Sequence, residues 1–204
     1  YYIHWPVSGL DSRPSLEAMA RARETGSIRY IGLSNFTPRA VIEANCFVPI
    51  DACQFGYNLI WRNPEKELIP LCSRLGIARI AYGTLAQGLL AGRIGPQTRF
   101  PQGDDRGLTR FYTPEKREQV FQGIAELDIA ARQRGMSLLQ AVRLWCAAAG
   151  TVDQFLIGAR NREQALENFG PVTTDPQLTE ELEGTGERLS RLFEGEDNFF
   201  GFKA

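Results

Sequence analysis

The sequence predicts an α/β fold with a parallel sheet, because five short apolar runs alternate with amphipathic helical segments. Each run is bounded by Gly, Pro, Asn or Asp, as strands usually are. The predicted strands are residues 1–5 (YYIHW), 28–33 (IRYIGL), 52–57 (ACQFGY), 77–82 (IARIAY) and 154–157 (QFLI). A strand, helix, strand order at this spacing indicates right-handed βαβ units.

Amphipathic patterns with recognisable ends predict the helices of these units. The predicted helices are residues 15–24, 38–44, 64–75, 115–134, 137–149, 162–169 and 179–192. Pro38 stands at a helix start, and Gly26 and Gly76 follow helix ends, which are the usual places for these residue types. Residues 83–114 show no clear periodicity. This favours an active-site lid or a cofactor clamp over the alternative, a disordered surface excursion.

The number of units predicts which parallel fold this is. Five strands occupy 204 residues, whereas a closed (β/α)8 barrel has eight strands and about 250 residues. An isolated parallel sheet of five strands would leave two unpaired edges, which closure into a barrel removes. We therefore expect an incomplete (β/α)8 TIM barrel over residues 1–193, with Tyr1 inside the fourth strand of the parent protein, and a tail over residues 194–204.

Composition narrows the possible partners. The net charge is −1, with 23 basic and 24 acidic residues intermixed, so neither nucleic acid nor an acidic membrane surface is an expected partner. No apolar run approaches the about 18 to 20 residues of a membrane helix, and no signal peptide is recognisable, so we expect a cytoplasmic protein. Nothing in the composition indicates an oligomeric state. The cysteines lack a CxxC spacing, and we expect buried free thiols and no metal at Cys46, Cys53, Cys72 and Cys146.

Polar side chains follow the predicted strands, at the rim where ligands bind in parallel α/β folds. Amide and hydroxyl groups at Ser34, Asn35 and Gln54, with the ring of Tyr82, suit a flat carboxamide-bearing ring such as nicotinamide. Arg160 precedes a predicted helix that carries Gln164, Glu167 and Asn168, a pattern suited to a phosphate and a purine. The exits carry no pair of carboxylates, and the chain has no GxSxG, P-loop or GxGxxG motif, which argues against glycoside hydrolysis and the common nucleotide loops.

Five motifs carry a resemblance to a known family. The segments IHWP, IGLSNF, QFGYNLI, AYGTLAQGLLAG and LIGARNREQALENF resemble the aldo-keto reductase family in their order and spacing, across the whole chain except the tail. The resemblance implies a barrel that binds NADPH and reduces aldehydes or ketones by hydride transfer. Of the four residues that surround the carbonyl in this family, His4 matches the histidine, and the aspartate, tyrosine and lysine would lie on preceding strands. We accordingly expect no turnover from this chain alone.

The resemblance also implies a role for each cofactor-binding position. Ser34, Asn35 and Gln54 would hold the carboxamide, and Tyr82 would stack on the nicotinamide. The pyrophosphate would be lined by Gly83, Thr84, Leu85, Gln87, Gly88 and Leu90. The 2′-phosphate and adenine would be held by Gly158, Arg160, Gln164, Glu167 and Asn168. Two departures affect affinity: Gly83 stands where many members have serine, and LIGAR lacks the proline that many members carry before its glycine.

Several alternatives remain at this stage. Trp5 and Trp61 could wall the pocket of a small carbonyl substrate or pack in the core. The same fold could serve as a non-catalytic NADPH-binding regulatory subunit, or as a barrel enzyme acting on a sugar phosphate held by Arg160. The tail phenylalanines at positions 199, 200 and 202 could close over a substrate or stay disordered.

Overall fold

The computed structural model describes residues 1–196 and 198–200. Within them, five parallel strands form one sheet in the order β1-β2-β3-β4-β5, which confirms the predicted fold class. The strands are β1 (Tyr2–Ile3), β2 (Gly32–Ser34), β3 (Ala52–Gly56), β4 (Ala78–Tyr82) and β5 (Gln154–Phe155). Their strictly sequential order is that of neighbouring strands in a barrel, and the sheet is open between β1 and β5.

The strands are shorter than predicted, most clearly at the start of β2. Residues 28–31 lead into this strand but are not part of it. The Ile31 N–H donates to the Asp51 carboxylate at 2.8 Å, and only its carbonyl bonds to the backbone leading into β3, accepting from the Asp51 N–H at 2.9 Å. The central pair is the longest, with Ala52 to Gly56 opposite Ala78 to Tyr82. This register places the ends of β3 and β4 side by side at the carboxyl rim of the sheet.

Seven α-helices lie within the described residues, close to the predicted positions. They are α1 (Arg13–Glu24), α2 (Pro38–Phe47), α3 (Leu68–Leu75), α4 (Pro114–Arg132), α5 (Leu138–Ala148), α6 (Arg162–Phe169) and α7 (Pro176–Ser190). Two starts differ from prediction for local reasons. A separate 3-10 turn at Asn63–Glu65 takes up the first residues assigned to α3. The helix α7 begins earlier because the Asp175 side chain accepts from the Leu178 N–H at 2.9 Å and Pro176 follows this cap.

A layer of helices covers the apolar side chains of the sheet. Leu33, Cys53, Phe55 and Ala81 of the strands are at most 3% exposed. On the outside, α4 and α7 approach closely at Gly123, where a Cβ atom would lie 2.6 Å from the Leu189 side chain. Burial of this apolar area provides the main stabilisation of such a domain.

All four cysteines are free, as predicted, but their burial differs. Cys53 and Cys72 are buried and Cys146 is half-buried, whereas Cys46 is exposed, which corrects the expectation that all are buried. Cys46 lies in the last turn of α2, whose buried face is carried by Val41 and Ala44. Among the described helices, none combines the length and the apolarity that a membrane crossing requires.

Candidate functional site

Asn35 links the carboxyl ends of β1, β2 and β4. Its backbone adopts the left-handed conformation, with φ of 64°, directly after β2. Its side-chain Nδ2 donates to the carbonyl oxygen of His4 and to Oγ of Ser34, both at 3.0 Å. Its Oδ1 accepts from the Tyr82 hydroxyl at 2.6 Å. We call this set, comprising Ser34, Asn35, Tyr82 and the His4 carbonyl, the Asn35 network.

Tyr82 is a half-buried member of the Asn35 network. Burial raises the pKa of its phenol above the ordinary value, so the group stays protonated and donates. Gln54 lies next to Ser34 in register and is half-buried. The structure thus brings together three of the four residues predicted to surround the carboxamide ring, with Gln54 beside them.

His4 and Trp5 follow β1 at the same rim. The His4 side chain is exposed, its ring lies 6.4 Å from the ring of Trp5, and only its backbone carbonyl joins the Asn35 network. An exposed imidazole at a strand end is available to a ligand from solvent. The catalytic role of His4 and the substrate role of Trp5 stay predictions.

A cleft of about 920 Å³ opens beside this rim, between the segments that follow β4 and β5, and we call it the β4–β5 cleft. It brings together most of the residues predicted to hold pyrophosphate, 2′-phosphate and adenine. The predicted residues that line it are Gly83, Thr84, Leu85, Gln87, Gly88, Gly158, Arg160, Gln164 and Asn168. Leu90 does not line it, because its side chain is fully buried in the core.

The turn after β4 is built from unusual backbone conformations. Gly83, Gly88 and the non-glycine residues Ala86 and Gln87 all have positive φ, at 69°, 105°, 45° and 56°. The glycines adopt this conformation without penalty, whereas Ala86 and Gln87 are strained, and strained residues cluster at ligand sites. The turn is held in place by two hydrogen bonds: the Thr84 hydroxyl donates to the carbonyl of Leu156 at 2.9 Å, and the Asn58 amide donates to the carbonyl of Gly83 at 3.0 Å.

The opposite wall of the cleft is the start of α6. Arg160 N–H donates to Oε1 of Gln164 at 2.9 Å, and the Asn161 side chain caps the helix by accepting from the Gln164 N–H at 2.8 Å. Asn168, 4% exposed, donates to the carbonyl of Gly158 at 2.9 Å. The Arg160 guanidinium forms no ion pair within the described residues and is exposed, so it is available to an anion.

Two further arginines line the β4–β5 cleft, and the sequence reasoning did not single them out. Arg93 donates to the Glu167 carboxylate at 2.6 Å, and Glu167 itself does not line the cleft. Arg106 donates through Nε to both Asp104 oxygens, at 2.9 and 3.1 Å. These hydrogen bonds, with a smaller contribution from Arg160, lower the pKa of Asp104 to about 2. Both arginines belong to residues 83–114, whose length and lack of clear periodicity predicted a lid or a clamp.

Trp61 lies away from the cleft, in an aromatic cluster. It is 2% exposed, and its ring lies 6.3 Å from Phe111, 5.6 Å from Phe193 and 5.9 Å from Phe199. Two phenylalanines of the predicted tail are therefore ordered against the barrel rim at positions 199 and 200, while Phe202 lies outside the described residues. The substrate role of Trp61 stays a prediction.

The side chains that line the cleft fit a dianionic, amide-bearing ligand. The Oε1 atom of Gln87 is buried and has no hydrogen-bond partner within the described residues. Because amide oxygen and nitrogen positions are assigned by their partners, the same buried end could donate to a phosphate. The walls carry Arg93, Arg106 and Arg160 together with Asp104 and Asp105. Arg93 and Arg106 are paired with carboxylates, so within the described residues Arg160 is the lining arginine that an anion can reach without breaking an ion pair. Among the residues described, no group of three or more His, Cys, Asp or Glu side chains could hold a metal ion.

The fold and the site define the class of protein: part of a (β/α)8 barrel whose polar cleft opens at the carboxyl ends of its strands. The model of the Aldo/keto reductase family matches residues 1–183. The chain belongs to the aldo/keto reductase family.

Two relatives and one solved structure show the range of the similarity. The chain is 28% identical over 174 residues to aldo-keto reductase YhdN of Bacillus subtilis, covering 85% of this chain and 52% of that protein. It is 26% identical over 173 residues to aldo-keto reductase yakc [NADP(+)] of Schizosaccharomyces pombe, covering 83% and 51%. The glycerol dehydrogenase AKR11B4 of Gluconobacter oxydans has 29% sequence identity and a TM-score of 0.76 over 93% of this chain and 57% of its own. The chain spans about half the length of the curated relatives it matches.

Proposed function

We propose that this chain forms the larger part of an NADPH site in an enzyme that reduces aldehydes or ketones. The observation that carries the proposal is the pairing of two features on one rim. The β4–β5 cleft has a buried amide oxygen at Gln87 and an exposed guanidinium at Arg160, neither with a partner within the described residues. The Asn35 network, at the same rim, holds amide and hydroxyl groups beside one phenol ring. An extended dinucleotide has the length and chemistry to join the two.

Each residue of the cleft has a distinct part in holding the phosphates. Arg160 would fork onto the 2′-phosphate at the start of α6, where the helix dipole adds favourable potential. Gln87 and the left-handed turn around it, which line the cleft, would approach the pyrophosphate. Arg93, held by Glu167, would add a further positive charge. When bound, NADPH supplies the hydride.

The Asn35 network would orient the carboxamide end. Its amide and hydroxyl groups are already in hydrogen bonds with one another, so they are fixed in position before a ligand arrives. Such preorganisation lowers the entropy cost of binding. His4, exposed beside it, would donate a hydrogen bond that positions the carbonyl oxygen of a small substrate.

The direct test is the nucleotide preference of the chain in solution. We expect NADPH to bind at least about tenfold more tightly than NADH, because a charge-assisted contact to the 2′-phosphate contributes about 1.5 to 3 kcal/mol. Isothermal titration calorimetry with both nucleotides measures the ratio. A chain that binds a sugar phosphate and neither nucleotide would instead act on phosphorylated sugars.

Turnover requires a separate measurement. Of the four residues that the family places around the carbonyl, His4 alone has a match here, so we expect residues 1–204 to bind NADPH without reducing carbonyl compounds. Absorbance of NADPH followed with a panel of aldehydes and ketones tests this. Rapid, substrate-dependent oxidation by the chain alone would show that other residues carry out the proton transfer.

A further inference from the structure

The last described residues cross the rim of the barrel as a C-terminal strap, which we define as residues 193–196 and 198–200. Asn63 Nδ2 donates to the carbonyl oxygens of Phe193 and Glu196, at 2.8 and 2.9 Å. The Glu196 carboxylate pairs with Lys116 at 2.6 Å and with Arg110 at 3.1 Å. These ion pairs, foremost the hydrogen bond from Lys116, lower the pKa of Glu196, so the strap is anchored at neutral pH.

Beyond this anchor, the strap pairs with the loop that follows the cleft. The Arg110 N–H donates to the carbonyl of Phe199 at 2.8 Å, and Thr109 forms an antiparallel bridge with Phe200. Backbone pairing of this kind aims the two phenylalanine side chains, because successive residues of an extended chain point to opposite sides.

The Phe199 ring enters the barrel rim. It is 1% exposed, and it lies 5.7 Å from the Phe111 ring at an interplanar angle of 20°. The position of the Phe199 ring depends on two glycines, which leave space for it. A Cβ atom at Gly56 would lie 2.4 Å from the Phe199 ring, and one at Gly83 would lie 2.7 Å from it. The serine that many family members have at position 83 is incompatible with this ring position, so the glycine departure and the seated phenylalanine belong together.

Phe200 lies against Tyr82, the aromatic residue of the Asn35 network. The two rings are nearly parallel, at 16°, with centroids 6.5 Å apart. Phe199 contacts the same tyrosine at 5.7 Å. None of the described strap residues lines the β4–β5 cleft. The strap therefore covers the Tyr82 ring, on which the nicotinamide would stack, and leaves the β4–β5 cleft, which would hold the phosphates, open.

We propose that the C-terminal strap competes with the nicotinamide half of the cofactor for the face of the Tyr82 ring. Phe200 packs against that ring until NADPH displaces it. The inference rests on the proposed function, because it takes Tyr82 as the nicotinamide platform. Binding would proceed from the open phosphate end, and displacement of Phe200 would follow. The affinity for the whole dinucleotide is then reduced by the stability of the strap, while the affinity for its adenine half is not.

Comparing the affinity for NADPH with the affinity for its adenine half separates competition at Tyr82 from binding in the cleft. We would measure calorimetric affinities of the unmodified chain and of Phe200→Ala for NADPH and for adenosine 2′,5′-bisphosphate, which has no nicotinamide. The expected result is about three- to tenfold tighter binding of NADPH by Phe200→Ala, the range for loss of one aromatic contact, with unchanged binding of the fragment. Phe47→Ala, a partly exposed phenylalanine in α2, is the matched control and should alter neither affinity.

The other outcomes have defined meanings. Unchanged or weaker NADPH binding by Phe200→Ala, with the fragment still bound, would overturn the competition while leaving the proposed NADPH site intact. Failure of the unmodified chain to bind either ligand would overturn the proposed function and this inference with it. Circular dichroism of each variant establishes that it is folded.

Displacement can also be observed directly in the unmodified chain. Chymotrypsin cleaves after accessible phenylalanines, so release of the strap should increase cleavage at positions 199 and 200. We expect saturating NADPH to raise the cleavage rate at these two sites several-fold, and adenosine 2′,5′-bisphosphate to leave it unchanged. Protection by NADPH would overturn the proposal, since it would show that the strap closes over the cofactor.

Discussion

The two ends of the proposed cofactor site differ in how far their polar groups are already satisfied. In the β4–β5 cleft, the Arg160 guanidinium and the Gln87 amide oxygen have no partner within the described residues. In the Asn35 network, every amide and hydroxyl has an internal partner, and the Tyr82 ring is covered by Phe200. A buried polar group without a partner is costly, so the first end is built to receive a ligand. The second end is built to hold its shape without one.

The largest effect is expected at Gly83, a residue of the β4–β5 cleft whose Cβ position lies 2.7 Å from the Phe199 ring. Gly83→Ala should lower the free energy of unfolding by about 3 kcal/mol, from left-handed strain and overpacking against Phe199. Gly76→Ala is the matched control, because φ at Gly76 is 67° and its Cβ would meet nothing within 4 Å. This control should cost only about 1 kcal/mol, the strain alone. Urea unfolding followed by circular dichroism measures both.

A double-mutant cycle assigns the excess cost to the strap. In a Phe199→Ala background, Gly83→Ala should cost no more than Gly76→Ala does, because the colliding ring is gone. An equal cost with and without Phe199 would show that the ring does not sit against Gly83 in solution. The contrast between an open β4–β5 cleft and a covered Tyr82 ring would then be wrong.

Substitution of Arg160, which has no ion-pair partner within the described residues, tests the β4–β5 cleft. Arg160→Gln should weaken binding of NADPH and of adenosine 2′,5′-bisphosphate by about 10- to 100-fold, since each loses the same charge-assisted contact. Arg162→Gln removes a charge two residues away in α6, outside the cleft, and should change either affinity by less than about twofold. Equal losses in the two variants would mean that only the general positive field matters. Calorimetry is again the measurement.

A smaller effect is expected at the centre of the Asn35 network. Asn35→Gly keeps the left-handed backbone available and removes the side-chain hydrogen bonds, at about 1 to 2 kcal/mol of stability. Asn35→Ala should cost about 1 kcal/mol more, because alanine disfavours φ of 64°. If the two variants unfold at the same urea concentration, the conformation at position 35 is not the one described.

The smallest effect is expected in the pKa of Tyr82, which reports how well Phe200 covers the tyrosine ring. Burial raises the pKa of Tyr82, so its contribution to stability is fully present below pH about 10 and is lost as pH rises through the folded value. Phe200→Ala should move the Tyr82 pKa down, because it removes part of that burial. Burial also raises the pKa of Tyr112 to about 12, and this group is the internal reference. NMR of tyrosine labelled at Cζ measures both pKa values. An unchanged Tyr82 pKa in Phe200→Ala would contradict the contact between Phe200 and Tyr82.

Much of the fold was predictable because its signals are local. The alternation of apolar runs and amphipathic segments predicted the order of strands and helices, and Gly76 and Pro38 marked helix ends that the structure confirms. The strand lengths were less accurate, because a strand ends where its ladder partner ends. Residues 28–31 have strand composition, but Asp51 binds the Ile31 N–H instead.

The site was predictable in part. Motif residues such as Gln87, Arg160 and Asn168 do meet in one cleft, while Leu90 is buried in the core. Arg93 and Arg106 were missed because residues 83–114 lack periodicity, and only the folded loop shows which of its charges face the cleft.

The sequence by itself determined the fold class, the family and the set of polar residues at the strand ends, because these depend on periodicity and on the spacing of short motifs. Only the tertiary structure decided which of those residues are open to a ligand. The accessibility of Tyr82 depends on Phe199 and Phe200, more than one hundred residues away in the chain. Contacts between distant segments follow from packing, in which a missing Cβ at Gly56 and Gly83 makes the space that the Phe199 ring of the strap requires.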